Sequence, residues 1–354
     1  MRITFITDSF VEFSKSSCKY LFGSSIYLND LAKNLISRGY CVTVIQMDSK
    51  IIKIQRDNID SVSVVTIPAE SLDVFNTQWS KYVSFDSTIV HLNNIDCLPV
   101  KPVDFKLTGT VHTNTFMLKK HPNDFFKNFV LPKLSKIVVV NGDYLQVFRD
   151  VSDKIIKVNN FVDTGLFEYS VNKPRAWKHW KLVFPSRQVV DKGVFFAIDL
   201  AVHLRGNFGW CGKLLLAGEI NPVVYEYAQH VSAPCEFLGY QDHYCDMPSI
   251  YTDSDIILVP SFSEACGLVA LEAMSTGRPV IANNTSGINK VILDGVSGIT
   301  ASLDIPTWSR AVSNLAQDLK CYFNFQETGR RIVEQDYDID KCTEAYISMW
   351  NSLN

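Results

Sequence analysis

A chain of 354 residues is too long for one ordinary hydrophobic core and comfortable for two domains. With 47% apolar and 20% charged residues it has a globular balance, which excludes fibrous and disordered classes. The formal net charge of -3 creates no global field toward nucleic acid or anionic lipid, so a partner of that kind has to be met by a local patch.

The first segment, RITFIT (2–7), is a short apolar run that reads as a strand and lacks signal-peptide architecture. In IYLNDLAKNLISRG (26–39), Ile26, Leu28, Leu31, Ala32, Leu35 and Ile36 recur at helical spacing, and Gly39 stands where a glycine commonly ends a helix. CVTVIQM (41–47), SVSVVTI (61–67), STIVHLN (87–93), KLTGTVH (106–112) and KIVVVN (136–141) read as further strands. Runs buried on both faces and separated by helices predict a parallel sheet. The same grammar restarts at KLVFPS (181–186), followed by a helix from about Val194 to Arg205, then KLLLAG (213–218), CEFLG (235–239), DIILVPS (255–261) and RPVIAN (278–283). Two doubly wound α/β units in tandem are therefore expected. Residues 160–181 lack clean periodicity and contain Pro174, which predicts a linker. Apolar runs all fall short of the ~20 residues that span a bilayer. Nine scattered cysteines without a C-x-x-C pair read as reduced, mostly buried thiols in a cytosolic setting rather than as a metal site.

In open α/β sheets, ligands sit beyond the carboxyl ends of the strands, so functional residues are expected just after strands, and two such sheets facing each other make a cleft. The stretch PSFSEACGLVALEAMSTGRPVIA (260–282) carries that chemistry. A strand ends, SEACG forms a loop, and LVALEAMSTG reads as a helix whose start offers unpaired N–H groups and a partial positive charge. Gly267 lets a ligand approach the backbone, as a generic anion site requires. Glu264 beside such a site makes sense for a ligand that also carries hydroxyls, as a sugar does. Glu272 lies among Leu271, Ala273 and Met274, where a carboxylate needs a hydrogen-bond partner; a ribose diol would be a good one.

The stretch resembles the E-x7-E signature of the retaining glycosyltransferase family 4. So do GSSIYLNDLAKNLISRGYCVTVI, TVHTNTF, VVNGDYL, NNFVDTGLF, FPSRQVVDKG, EFLGYQDHYCDMPSIYTDSDIILVPS and the closing YDIDKCTEAYISMWNSL. The resemblance covers nearly the whole chain and implies a GT-B fold. Residues 1–170 would form the acceptor-side domain, with helix 337–354 packing back on it, and residues 171–336 the nucleotide-sugar domain. It implies that Glu264 contacts donor-sugar hydroxyls, that Glu272 contacts the ribose, and that Arg187 and Lys192 hold the diphosphate. His112 would lie near the donor sugar. Gly23 would approach the diphosphate, with Ala265, Cys266, Gly267, Leu268 and Val269 forming the donor loop and helix start. A UDP- or GDP-sugar is the implied co-substrate, no metal or other cofactor is implied, and a glycan or glycolipid is the implied acceptor in a cytoplasmic setting. The chain departs from the family pattern at Ser24, at Phe161 and at Lys290, which stands where the family usually has glutamate.

Blander readings stand beside these. Glu264 alone could cap a helix, Arg187 and Lys192 alone could be surface charges, and His112 or His91 alone could be a satisfied core histidine. Asp253-Ser254-Asp255 looks like a D-x-D metal motif but precedes a strand, at the wrong end of the sheet. Gly209 and Gly212 make no dinucleotide fingerprint. KPRAWKHWK (173–181) could grip nucleic acid, with a modified DNA base as acceptor, although tryptophans filling a seam between domains is the favoured reading. MLKKHPNDFFKNF (117–129) could touch a membrane surface, at the inner face for a lipid-linked acceptor, although an ordinary amphipathic helix is favoured. A non-catalytic sugar-nucleotide-binding protein on the same fold is the remaining alternative.

Overall fold

The computed structural model describes residues 1–13, 18–20, 23–100, 103–112, 128, 131–140, 153–171, 173–264, 266–285 and 287–353. Ala265 and all but one residue of the 117–129 stretch lie outside them. The chain divides into two compact units, Met1–Asn160 with Ile339–Asn354, and Phe161–Asp338.

The first unit contains β1 (Arg2–Ile6), the hairpin β2 (Val11–Phe13) and β3 (Cys18–Tyr20), β4 (Cys41–Asp48), β5 (Gln55–Ile59), β6 (Val62–Pro68), β7 (Ile89–Leu92), β8 (Leu107–Val111), β9 (Lys136–Val139) and β10 (Ile155–Lys157). Apart from the hairpin these form one sheet in the order β10-β9-β8-β7-β1-β4-β6-β5, parallel except for the antiparallel edge pair β5 and β6. The chain winds one way from β1 and then the other, so the order reverses between β1 and β7. The helix Gly23–Ser37 buries Tyr27, Leu28, Leu31, Ala32 and Leu35, the stripe its spacing predicts. The closing helix Ile339–Asn351 belongs to this unit and lies beside it. The Tyr27 hydroxyl donates to that of Tyr346 at 2.8 Å, and Arg38 pairs with Asp340 at 2.8 Å.

His91, on β7, is a core residue. Its ring nitrogens meet the Thr108 and Thr110 hydroxyls at 2.7 and 2.8 Å, and Phe5 and Trp350 pack edge-on against it. Burial holds it at a pKa of about 3, so it is a neutral, satisfied histidine with a structural role.

The second unit is a six-stranded parallel sheet of β11 (Lys181–Pro185), β12 (Lys213–Ala217), β13 (Cys235–Gly239), β14 (Ile256–Val259), β15 (Val280–Asn283) and β16 (Ile299–Ala301). Its order is β13-β12-β11-β14-β15-β16, which reverses between β11 and β14. Period-two alternation divides each central strand between two cores. Leu182, Phe184, Ile256 and Leu258 pack with residues of the helices Val194–Phe208, Ile305–Gln317 and Leu319–Ile332. Val183, Ile257 and Val259 pack on the other side with Ala270, Leu271 and Met274 of the helix Leu268–Ser275. Strands with two buried faces have to be apolar throughout, which is why their runs were continuous in the sequence.

Residues 161–170 pack with this second unit. Phe167 is in its core, Ser275 Oγ donates to Phe167 O at 2.6 Å, and the Arg278 guanidinium donates to Ser170 O at 2.9 Å. The division therefore falls after Asn160 rather than at residue 170. The tryptophans of 173–181 pack within the second unit. Trp180 is 1% exposed within the second unit's core, its indole N–H donates to Arg175 O at 2.8 Å, and Trp177 packs beside it. Trp180 is thus not available to stack a base. The thiols are less uniformly buried than expected: Cys97, Cys266 and Cys342 are buried, whereas Cys41, Cys211 and Cys245 are exposed.

Candidate active site

The order of the second sheet reverses between β11 and β14, and the loops leaving those two strands bring Lys192 and Glu264 together. After β11 the chain passes Arg187 and Gln188 into a 3-10 turn, Val190–Lys192, that ends at Gly193 in the left-handed region with φ 76°. A Cβ at Gly193 would lie 2.1 Å from Pro260 O, so only glycine lets this turn press against the end of β14. Phe262 N–H donates to Asp191 O at 2.9 Å and closes the contact. Lys192 is thereby delivered to the next loop, where its Nζ lies 2.5 Å from Glu264 Oε1. Gln188 is buried and fixes the base of the turn, accepting from Asn221 N–H at 3.1 Å through Oε1 and donating to Gly218 O at 3.3 Å. Arg187 is exposed on the same loop.

Beyond Glu264, Gly267 adopts φ 62° and starts the helix Leu268–Ser275 without a side-chain cap. A Cβ there would come within 2.9 Å of Ile288 Cδ1. Leu268 and Val269 are the first two residues of that helix, where backbone N–H groups lack intrahelical acceptors. The Cys266 thiol is buried, and burial, followed by the nearby Glu264 charge, pushes it up to about 12. It is a neutral small side chain under the loop, not a thiolate. Ser261, also buried, has a hydroxyl with no hydrogen-bond partner among the described residues.

Glu272 is 9% exposed. The partner its burial demands is provided within the fold: Tyr251 Oη donates to Glu272 Oε2 at 2.6 Å, and His243 Nδ1 stands 3.9 Å from Oε1. Burial and the neighbouring carboxylate push the Tyr251 hydroxyl well above its usual pKa, so it remains a donor. Lys290 is exposed on the short helix Ile288–Val291, and its carbonyl accepts from Tyr337 Oη at 2.7 Å.

In the first unit the corresponding reversal lies between β1 and β7. Asn93 follows β7, His112 follows β8, and Gly23 is an exposed first residue of its helix. His112 Nε2 lies 3.3 Å from Asn93 Oδ1 and Tyr27 packs edge-on against the ring at 4.8 Å. Burial lowers the His112 pKa to about 4, so the imidazole is neutral at pH 7. Asn93 Nδ2 also reaches Ser24 O at 3.5 Å, tying the helix start to the strand end.

The remaining candidates resolve as structure. Asp255 is fully buried ahead of β14; it accepts from Arg175 N–H at 3.0 Å and Lys181 N–H at 2.7 Å and pairs with the Arg175 guanidinium at 3.0 Å. Asp253 pairs with Arg175 and with Lys181. Among the described residues no group of three His, Cys, Asp or Glu side chains could hold a metal ion, and no helix is long and apolar enough to cross a membrane. Sequence reading missed Gln188, Tyr251, His243 and Asn93. Gln188 sits between Arg187 and the turn and was open to notice; Tyr251 and His243 lie in the connection from β13 to β14, where nothing in the spacing marks them.

Comparison with known proteins gives this geometry a context. Residues 180–318 match the family described as "Glycosyl transferases group 1". A glycogen synthase of Mycobacterium tuberculosis is 25% identical over 204 residues, 56% of this chain and 49% of that protein, so the match spans about half the length of that relative. Among solved structures, a sucrose-phosphate synthase from Thermosynechococcus elongatus superimposes with a TM-score of 0.78 at 17% identity over 99% of this chain and 98% of that one. Anabaena HepE, in complex with UDP-glucose, gives 0.76 at 15% identity over 99% and 100%. These superpositions establish the GT-B fold of two Rossmann-like sheets, and the stretch that matches the glycosyl transferases group 1 family holds Arg187, Lys192, Glu264 and Glu272.

Proposed function

We propose that this chain is a retaining glycosyltransferase of the family 4 type, moving a sugar from a UDP- or GDP-sugar to an acceptor hydroxyl on a glycan or glycolipid. The observation that carries this reading is the meeting of Lys192, Glu264 and the uncapped helix start at Gly267, where the strand order of the second sheet reverses. A departing nucleoside diphosphate gains negative charge as the glycosidic bond breaks. Lys192, Arg187 and the N–H groups of Leu268 and Val269 are the groups that stabilise it. Glu264 accepts hydrogen bonds from sugar hydroxyls and Glu272 from the ribose. Cations and a helix dipole thus do what a divalent ion does elsewhere, and the proposed reaction needs no metal. Retention follows from attack on the same face as the leaving phosphate, so no covalent nucleophile is assigned. His112 contributes a hydrogen bond to the sugar as a neutral imidazole. The proposed setting is cytoplasmic, at the inner membrane face where the acceptor is a glycolipid.

Support for a uridine donor comes from HepE, whose structure holds UDP-glucose. The test is a thermal-shift panel of UDP, GDP, UDP-glucose and GDP-mannose, followed by donor hydrolysis without acceptor. One diphosphate should stabilise the protein, one of its sugars should be hydrolysed slowly, and Glu264→Ala should abolish that hydrolysis with the fold intact. Full hydrolysis in Glu264→Ala would overturn the catalytic assignment. Binding without hydrolysis would favour a sugar-nucleotide-binding protein, the reading that Lys290 at the family's usual glutamate position supports.

A further inference from the structure

The cation assigned to the diphosphate and the carboxylate assigned to the sugar are joined to each other. Lys192 Nζ lies 2.5 Å from Glu264 Oε1, and the two side chains are only 25% and 13% exposed. Neither partner is on a freely moving segment. Lys192 ends a 3-10 turn locked against Pro260 by Gly193, and the Glu264 loop is tied to that turn by the bond from Phe262 N–H to Asp191 O. A ligand that draws Lys192 away therefore leaves a mostly buried carboxylate without its cation, and an uncompensated buried charge is costly.

Two ligands that share the diphosphate differ here. A nucleoside diphosphate takes Lys192 and gives Glu264 nothing in return. An intact sugar nucleotide takes Lys192 and brings hydroxyl donors to Glu264 in the same step. We propose that the Lys192–Glu264 pair makes the site discriminate the intact sugar nucleotide from the leaving nucleoside diphosphate, so that loss of the sugar itself promotes departure of the product. The pair re-forms as the diphosphate leaves and acts as an internal competitor for the lysine. This inference rests on the donor assignment above and adds a property which that assignment alone does not require, because in a site with separate cation and carboxylate the diphosphate would keep its full hold on Lys192 after the sugar had gone.

The test is isothermal titration of UDP, GDP, UDP-glucose and GDP-mannose into the wild-type chain, Glu264→Gln and Glu264→Asp. The wild type should bind the sugar nucleotide more tightly than its diphosphate. Glu264→Gln removes the competing charge and keeps hydrogen-bonding capacity, so it should bind the diphosphate on the order of tenfold more tightly than the wild type, the scale of one charge-assisted hydrogen bond. The sugar nucleotide should gain nothing, so the preference narrows or inverts. Glu264→Asp, with a shorter arm that draws back from Lys192, should move in the same direction. Diphosphate binding that is unchanged or weaker in both variants would overturn the discrimination and leave the donor site standing. A wild type that holds the diphosphate as tightly as its sugar would also overturn it, without need of a variant. Failure of every nucleotide to bind the wild type would overturn the donor assignment itself.

Discussion

The two ends of the second unit's sheet each carry acidic residues paired with cations, and they put them to opposite uses. At the amino end, Asp255 is fully buried and saturated, accepting from two backbone N–H groups and a guanidinium, while Asp253 ties Arg175 to Lys181. At the carboxyl end, Glu264 meets Lys192 across two loops that only Gly193 allows to touch, beside a helix start whose N-cap is a glycine with no side chain to cap it. The first arrangement commits Asp255 to the fold. The second keeps a cation, a carboxylate and a set of N–H groups within one neighbourhood. A D-x-D triplet and an E-x7-E pair look equally chemical in a sequence, and strand direction is what separates them.

The largest effect expected from breaking this comparison is at the saturated end. Asp255→Ala strands two backbone N–H groups and leaves the Arg175 guanidinium with Asp253 alone, and removing one partner of a buried pair costs about 3–5 kcal/mol. Denaturant unfolding should register that loss, while donor hydrolysis per folded molecule should be retained. Glu264→Ala should do the reverse. Removing the group proposed to position the reacting sugar should lower donor hydrolysis by about 10²-fold or more, the scale seen when a single preorganised hydrogen-bonding group is deleted. Its unfolding free energy should change by no more than about 1 kcal/mol, because Lys192 is a quarter exposed and can be re-solvated. A large stability loss in Glu264→Ala, or a large activity loss in folded Asp255→Ala, would erase the distinction between the two ends.

Much of this was legible in the sequence for one physical reason. Central strands of doubly wound sheets are buried on both faces, so β1, β4, β7, β8, β11, β12 and β14 are written as apolar runs, and the loops after them are where polar residues are kept for ligands. What escaped was structure that does not repeat. The edge strand β5, QRDNI, is polar and almost wholly exposed, so it carries no hydrophobic signal. Residues 160–181 looked like a linker because Phe167, Trp177 and Trp180 build core through single large aromatics rather than at a period. Tyr251 and His243 reach Glu272 from a connection 21 and 29 residues earlier in the chain, and only the fold brings them there.

A histidine comparison in the first unit predicts the next effect. His91 lies on β7 and His112 directly follows the neighbouring β8, yet one is sealed in the core and the other is partly open. Burial holds them at about 3 and about 4, below the ordinary 6.5. As pH falls below about 6.5 the unfolded chain takes up protons that the folded chain refuses. Stability is therefore full above that pH and is lost progressively as pH falls toward 4 and 3. For His91 alone the loss at pH 5 is on the order of 2 kcal/mol. Urea unfolding at pH 7 and pH 5 should show it, and His91→Gln, although less stable at pH 7, should have a shallower slope. An unchanged slope in that variant would mean that other groups carry the acid sensitivity.

The smallest effect tests how finely the carboxyl end is tuned. Tyr251 donates to Glu272 Oε2 at 2.6 Å from the helix Met247–Thr252, and the pair is buried. Tyr251→Phe keeps the ring that packs edge-on against Phe167 at 5.7 Å and removes only the hydroxyl. Losing one hydrogen bond to a charged acceptor costs about 1.5–3 kcal/mol at most, and less if water or His243 takes its place. Stability should fall by about that amount. If the bond also aims Glu272 at a ribose, the Michaelis constant for the nucleotide sugar should rise several-fold while kcat stays near its wild-type value, because ribose contacts are made equally in the ground and transition states. A variant that loses stability with an unchanged Michaelis constant would make Tyr251 a core tyrosine, satisfied by Glu272, and would make Glu272 a buried carboxylate held by the fold for its own sake.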